Sequence, residues 1–453
     1  LIRNIGIFLA IFFLCSAHAH ASSISDEVSD SGLAYSLVKM PDNPRVSVQI
    51  AWPSHWAFDE KLNQAVPYIG AQLLLSGGAG DYSAGEALER FEGMNSEGHL
   101  MPTTDYLFGT LNFSPEHQDE MLKIVNAHLR NPALDERWLE RARGQFASHI
   151  KEIRLNADTK GFEAMRWAVF GEQPIRTAIS LDEPNMIEEV TQDEVATWAK
   201  SAFNRNGVSI VVAGDLDTEM ANTIVDALFK DIPEGEQLSE VAVATDFSPK
   251  RILMHVPDAK ASTLTFIGKL PPSREGSELE DILLATSLGN GPQSVLFEAV
   301  STKLQARYGY GAGIVSFTRD TRLLVLSGPM EASKINEAEQ VIRQAYTEFR
   351  ADGPSGDLQQ LKQPLKENLT VSQEDASSMS YAVLMAKLDE RDIAKGFSLQ
   401  EELEAVSEKS LKQRLTSSFP TADDFIVVVS SPDASVLKDA CVITEQRQAM
   451  NCK

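Results

Sequence analysis

Apolar and polar positions alternate in two early stretches of the chain, at Tyr35 and Leu37 and then at Val46, Val48, Ile50 and Trp52. A period of two predicts a pair of half-buried strands, and Asp42-Asn43-Pro44 supplies the turn between them. Before them, Ser22 to Asp30 is polar and is expected to be disordered. From about Ala65 to Ser76 apolar residues dominate and Gly77-Gly78 follow, which predicts a buried helix with a glycine stop. Ser83 with Glu86 three residues on is a capping box, and Ala84, Ala87, Leu88 and Phe91 fall on one face of the helix it opens. Gly98 is expected to end that helix, with strands following to Ser114.

The period then returns to 3.6. Ser114-Pro115 opens a helix with Met121, Leu122, Val125 and Leu129 inward, stopped near Asn131-Pro132. A longer one starts at Asp135, with Leu139, Ala142, Phe146, His149 and Ile153 at spacings of three and four. The first half closes with a helix from Thr191 to Phe203, a strand from Val208 to Ala213 and a helix around Met220 to Phe229. From Asp231 to Pro249 the chain is acidic, carries Pro233 and Gly235 and has no strong periodicity, as an interdomain linker would.

Beyond the linker the order of elements repeats. The strand Leu264 to Leu270 runs into Pro271-Pro272 as Val46 to Trp52 runs into Pro53, an offset of 219 residues. Helix Leu279 to Leu288 leads to Gly289 and Gly291, and the strand Leu323 to Ser327 precedes a helix with Ile335, Ala338, Ile342, Ala345 and Phe349 on one face. The strand Phe425 to Val429 matches the one around Val211 at an offset of 216 residues. Two such similar offsets indicate a duplicated α+β unit, a mostly antiparallel sheet covered by helices. The expected division is 24–232 for the first domain, 233–249 for the linker and 250–453 for the second.

The 453 residues exceed what one core usually supports, in keeping with two domains. A formal charge of −24 repels phosphate backbones and anionic lipid, which argues against nucleic-acid and membrane-surface binding. Residues 1–21 carry Arg3, an apolar run from Ile5 to Leu14 and small residues ending in Ala19 and Ala21, the pattern of a cleaved secretory signal. The run is too short for a bilayer span of roughly 20 residues, and Leu14 before Cys15 is not the small residue expected of a lipidation site. A periplasmic or secreted location is therefore expected. There Cys441 and Cys452 either pair across a short loop or remain two free thiols. Gly309-x-Gly311-x-Gly313 lacks the spacing of a dinucleotide fingerprint, and Ser148-x-x-Lys151 lacks the companion motifs of a serine acylase.

The strand pair, the glycine-ended helix, Ser83-Ala84, Ser114-Pro115-Glu116, Leu139-Glu140-Arg141 and the two halves around a linker resemble the pitrilysin and insulinase family of zinc metallopeptidases, in its two-domain form. The resemblance covers nearly the whole chain after the signal. It implies a His-x-x-Glu-His stretch on the first helix and a distal Glu, because two imidazoles one turn apart and a carboxylate hold zinc while the intervening Glu activates water. Counted from Gly78, those places fall on Ile69, Gln72 and Leu73, with the distal Glu at or near His149. Counted from Gly77 they fall on Tyr68, Ala71 and Gln72, and from Gly80 on Ala71, Leu74 and Leu75. No register restores a ligand. His149 stands on the apolar stripe with Phe146, Ala142 and Ile153, which predicts a core or interface histidine.

The resemblance also implies an Arg and a Tyr in the second half that bind the substrate carbonyl. Those places fall on Gln305 and Ala312, whereas a slipped register offers Arg307, Tyr308 and Tyr310, or Lys303 with Tyr310, as substrate-binding residues. Simple strand packing is the other reading of Tyr308 and Tyr310. The family implies an exported, non-catalytic subunit that needs no cofactor itself, paired with a homologous zinc-bearing subunit around a peptide-degrading or peptide-processing chamber. A stand-alone homodimeric peptide-binding scaffold and a peptidase with residual activity remain the alternatives.

Overall fold

The computed structural model describes residues 22–453 apart from 155, 182, 184, 237, 239, 240 and 306–308. The predicted signal and the candidates Arg307 and Tyr308 lie outside the described residues.

The alternating stretches form two six-stranded sheets. The first contains β1 (Ser23–Val28), β2 (Ala34–Lys39), β3 (Val46–Pro53), β4 (Glu97–Pro102), β5 (Tyr106–Phe113) and β6 (Ser209–Gly214), in the order β1-β2-β6-β3-β5-β4. The second contains β7 (Arg251–His255), β8 (Ser262–Leu270), β9 (Gly311–Thr318), β10 (Thr321–Met330), β11 (Ile426–Ser431) and β12 (Cys441–Ile443), in the order β12-β7-β11-β8-β10-β9. Apart from the outer strands β1 and β12, the two orders are the same. The pairings β2–β6, β7–β11 and β7–β12 are parallel and the rest antiparallel. The duplication extends to the register. Gln49 stands opposite Thr110 and Val211 in one sheet, and Thr265 opposite Ser327 and Val428 in the other. A hydrogen bond joins each central pair, Thr110 Oγ1 donating to Gln49 Oε1 at 2.7 Å in the interior and the half-buried Thr265 and Ser327 hydroxyls meeting at 2.8 Å.

The helices of the first half are α1 (Val66–Ser76), α2 (Glu86–Gly93), α3 (Gln118–Arg130), α4 (Glu136–Arg154), α5 (Ala157–Phe170), α6 (Pro174–Ser180), α7 (Gln192–Ala202) and α8 (Thr218–Leu228). Those of the second are α9 (Glu278–Gly289), α10 (Val295–Leu304), α11 (Ile335–Asp352), α12 (Leu358–Glu374), α13 (Ala376–Leu388), α14 (Leu399–Ala405) and α15 (Glu408–Ser418). Period-two alternation decides what each sheet face meets. On β3, Val46, Val48, Ile50 and Trp52 join the core with α1, α3, α7 and α8, while Ser47, Gln49 and Ala51 turn to the other face. On β8, Leu264 and Phe266 join α9, α10, α11 and α15, and Ile267 turns away.

Those second faces are covered by an exchange of helices. Met379, Val383 and Leu384 of α13 pack on Val38, Ala51 and Val211 of the first sheet, and Ser380 Oγ donates to Ser47 Oγ at 2.9 Å. Reciprocally, Ala164, Met165 and Ala168 of α5 pack on Ile252, Ile267 and Val428 of the second sheet, and the Thr263 hydroxyl bonds the Asp158 carboxylate. Burying each large apolar side chain is worth roughly 1.5–3 kcal/mol, so each half carries part of the other's core.

Some sequence expectations need correction. Ser22 to Asp30 is not disordered: β1 pairs with β2 from Ser23 opposite Lys39 to Val28 opposite Ala34, and Asp26 accepts from Ser36 Oγ and Lys387 Nζ. Gly98 does not end the second helix, which stops at Gly93. It lies in β4, where a Cβ would stand 2.9 Å from the Phe91 ring. Gly85, at φ 84°, precedes α2, so Ser83 does not cap it. Instead the Ser83 amide and hydroxyl both donate to Glu86 Oε2 at 2.9 Å. Leu88 is exposed rather than on the buried face with Ala87 and Phe91.

The described residues between 231 and 249 form no helix or strand. The stretch is tied down at its end, where the Asp246 amide donates to the Val169 carbonyl and buried Lys250 reaches the Asp246 carboxylate at 2.7 Å. At the C-terminus Cys441 and Cys452 form a disulfide, holding the 3-10 helix Gln446–Asn451 beside β12 and α5. Among the described residues no helix is long and apolar enough to cross a membrane.

Candidate functional site

Helix α1 is apolar on nearly every side, so packing rather than amphipathicity sets its orientation. Ile69 and Leu73 are fully buried against the first sheet. The remaining face, Tyr68, Ala71, Gln72 and Leu75, lines a groove of about 520 Å³. Leu88 of α2, Trp138, Arg141, Gln145 and Phe146 of α4, and β4 complete its lining. As the last strand of its sheet, β4 pairs with β5 on one edge and leaves the other edge without a strand partner among the described residues.

The polar contacts across the groove are few. Gln72 Nε2 donates to Gln145 Oε1 at 2.8 Å, joining α1 to α4. Tyr68 OH donates to the Ala178 carbonyl at 2.9 Å, and its ring stands edge-on to Trp56 with centroids 5.4 Å apart. Burial pushes the Tyr68 phenol up to about 12, so it remains a protonated donor at neutral pH. Arg141 lies over the Trp138 ring, 5.0 Å from its centroid.

This geometry changes the preferred register of the degenerate zinc motif. Ile69 and Leu73 point into the core, where no ligand could reach the groove, whereas Tyr68, Ala71 and Gln72, the places counted from Gly77, face it. The residue brought against them from α4 is Gln145, not His149. His149 is exposed, one turn beyond Gln145, which removes the core half of the core-or-interface reading; the buried stripe of α4 runs through Leu139 and Ala142, with Phe146 and Ile150 packed beside it. The sequence does not mark Trp138 and Gln145, and it offers Arg141 only as part of Leu139-Glu140-Arg141, not as a groove residue. Their spacing of three and four was the available signal, one face round from the apolar stripe.

In the second half Tyr310 is buried, and its hydroxyl donates to the Leu264 carbonyl at 2.8 Å. Burial raises its phenol well above the ordinary value. It is a packing residue of the second core, not a substrate-binding one. Gln305 is exposed just after α10, with φ 50°, and Ala312 lies in β9 against the end of α9.

Zinc held by protein requires three or four nitrogen, sulfur or charged oxygen donors. The motif places and Gln145 offer a phenol committed to a carbonyl, a methyl group and two amides bonded to each other, His99 of β4 is the single imidazole lining the groove, and among the described residues no three His, Cys, Asp or Glu side chains converge. These residues do not fit the metal.

The profile of the family described as the peptidase M16 inactive domain matches residues 189–365. An uncharacterized zinc protease of Rickettsia bellii is 23% identical over 257 residues, covering 52% of this chain. The match spans only 60% of that relative's length. Among solved structures, the peptidase M16 inactive domain from Pseudomonas fluorescens superposes with a TM-score of 0.75 at 16% identity, over 90% of this chain and 98% of the other. A protease from Helicobacter pylori gives 0.72 at 13% identity, over 90% and 99%. The periplasmic protease PqqL from Escherichia coli gives 0.68 at 12% identity, over 95% of this chain but 50% of PqqL. Fold and groove together define a metallopeptidase scaffold without its metal ligands. These matches support a place in the pitrilysin (M16) family, beside its inactive domains, and the chain shares the fold of the M16 structures.

Proposed function

We propose that this chain is the exported, non-catalytic subunit of a heterodimeric M16 peptidase, and that its groove holds an extended peptide in a chamber completed by a zinc-bearing homologue. The observation that carries the reading is the groove itself: its walls stand beside the open edge of β4, while the motif places carry Tyr68, Ala71 and Gln72. An unpaired strand edge offers backbone donors and acceptors to an extended segment, and neighbouring pockets take alternate side chains. The length relation to PqqL, a chain about twice this unit, supports a role beside a second such unit. In this reading the partner supplies zinc and the hydrolytic step, and this chain supplies the wall and part of the peptide site. Purification from the native host tests it: a related chain with His-x-x-Glu-His should co-elute, and peptide cleavage should require both. Recovery of a free monomer, or cleavage by this chain alone, would overturn it.

A further inference from the structure

The groove is electrostatically unlike the rest of the molecule. In a chain with 65 Asp and Glu against 41 Lys and Arg, no carboxylate lines it, and Arg141 is its one lining side chain with a permanent charge. The other arginines of α4 are paired: Arg137 with Asp135 at 3.5 Å, Arg143 with Glu136 at 3.2 Å and Arg154 with Glu163 at 3.6 Å. Arg141 has neither a carboxylate within 4.0 Å nor a hydrogen bond among the described residues.

It is nonetheless placed. The guanidinium rests on the Trp138 ring, and that ring is seated so closely over Gly85 that a Cβ there would stand 2.8 Å from it. The Trp138 amide is in turn held by Asp135. A stacked guanidinium loses little further freedom on binding and keeps its N–H fork available for a planar anion. We propose that Arg141, laid on Trp138, reads a carboxylate of the peptide in the groove, so that the site selects segments bearing an Asp or Glu. This assignment rests on the peptide-groove reading above.

The test is direct binding of short, fluorescently labelled, strand-forming peptides to the full chain. Each carries a single Glu, Gln or Lys and has either an amidated or a free C-terminus. A charge-assisted bond should favour Glu over Gln by roughly tenfold at fixed salt. Arg141→Gln should abolish the preference, and Arg141→Glu should turn it toward Lys, a reversal that a purely structural role for Arg141 would not give. A tenfold gain from the free C-terminus, lost in Arg141→Gln, also supports the carboxylate site and assigns it to the terminal group. Equal binding of Glu and Gln peptides with either terminus, or a preference that survives Arg141→Gln, overturns the assignment while leaving the peptide groove standing. Failure of every peptide to bind overturns the groove reading and this one with it.

Discussion

Gln72 on α1 and Gln145 on α4 face each other across the groove, the amide of one donating to the carbonyl oxygen of the other at 2.8 Å. The pair joins the two helices through neutral groups that do not ligate zinc. The site is therefore expected to be reparable in one register only. Tyr68→His, Ala71→Glu, Gln72→His and Gln145→Glu together should give about one bound zinc per folded chain by metal analysis, since they restore three protein ligands. The set Ile69→His, Gln72→Glu and Leu73→His should instead destabilise the chain by about 3 kcal/mol or more, because Ile69 and Leu73 are wholly buried. Zinc uptake by the second set would contradict the register assigned to α1.

Asp281 has no exposed surface and accepts from two arginines, Arg322 Nη1 at 2.5 Å and Arg414 Nε and Nη2 at 2.8 and 2.9 Å. It joins α9 to β10 and α15. Removing the shared carboxylate strands two buried cations, so Asp281→Ala should cost about 3–5 kcal/mol in denaturant unfolding. A loss below 1 kcal/mol, on the order of a surface pair, would show that water enters and solvates the arginines.

The helix exchange makes the two sheets one cooperative structure. A Cβ on Gly161 of α5 would stand 2.5 Å from Ser430 Oγ on β11. Gly161→Val should therefore destabilise by about 1–3 kcal/mol through overpacking, with both halves unfolding in a single transition. Separate expression of residues 22–249 and 250–453 should yield poorly folded fragments, because each exposes a sheet face that the other's helix covers. Two independent transitions in the intact chain would count against the interlock.

How much of this was legible follows from where each signal lies. The alternation of Val46, Val48, Ile50 and Trp52 with Ser47 and Gln49 announced β3, because each residue faces a distinct layer. Helix α5 was missed because its packing partners, Val428 and Ser430, come from the far end of the chain. Disorder was assigned to β1 because an edge strand can remain polar when backbone pairing and a few side-chain bonds hold it. At the site, the loss of zinc ligands could be read in any register, but the register itself could not: α1 is apolar all round, so counting from a glycine does not say which side meets the core. Gln145 had no motif to mark it. The spacing of Leu88 predicts the same helix face as Ala87 and Phe91, and the structure places it in the lining of the groove.

The linker end should respond to acid. The Lys250 ammonium, with the Ser248 hydroxyl and amide, holds the Asp246 carboxyl at about 2, below its ordinary 3.8. A lowered folded-state value means that the contribution is present in full above the unfolded value near 3.8 and is lost as pH falls through about 2. Asp246 is 59% exposed, so the effect should be under about 1 kcal/mol. Asp246→Asn should lower stability slightly at neutral pH, and the difference from the wild type should vanish in the most acidic samples. A difference that grows on acidification would contradict the pairing.

The Cys441–Cys452 disulfide closes a loop with a sequence separation of 11. Its loop holds the 3-10 helix Gln446–Asn451, from which Gln446 Nε2 donates to Glu163 Oε2 of α5 at 3.0 Å. The bond thus secures the tail of the second half to the helix that the first half lends it. Loop-closure entropy for so short a loop puts the stabilisation at about 2–3 kcal/mol. Cys441→Ser with Cys452→Ser should lower the denaturant midpoint by a corresponding amount. Reductant should shift the wild type toward the double variant and leave that variant unchanged. Because the tail covers α5, the loss should also speed proteolysis near Trp167 and Phe170, residues of the core that the tail joins. An unchanged midpoint and cleavage pattern would mean that β12, paired with β7, holds the tail without the bond.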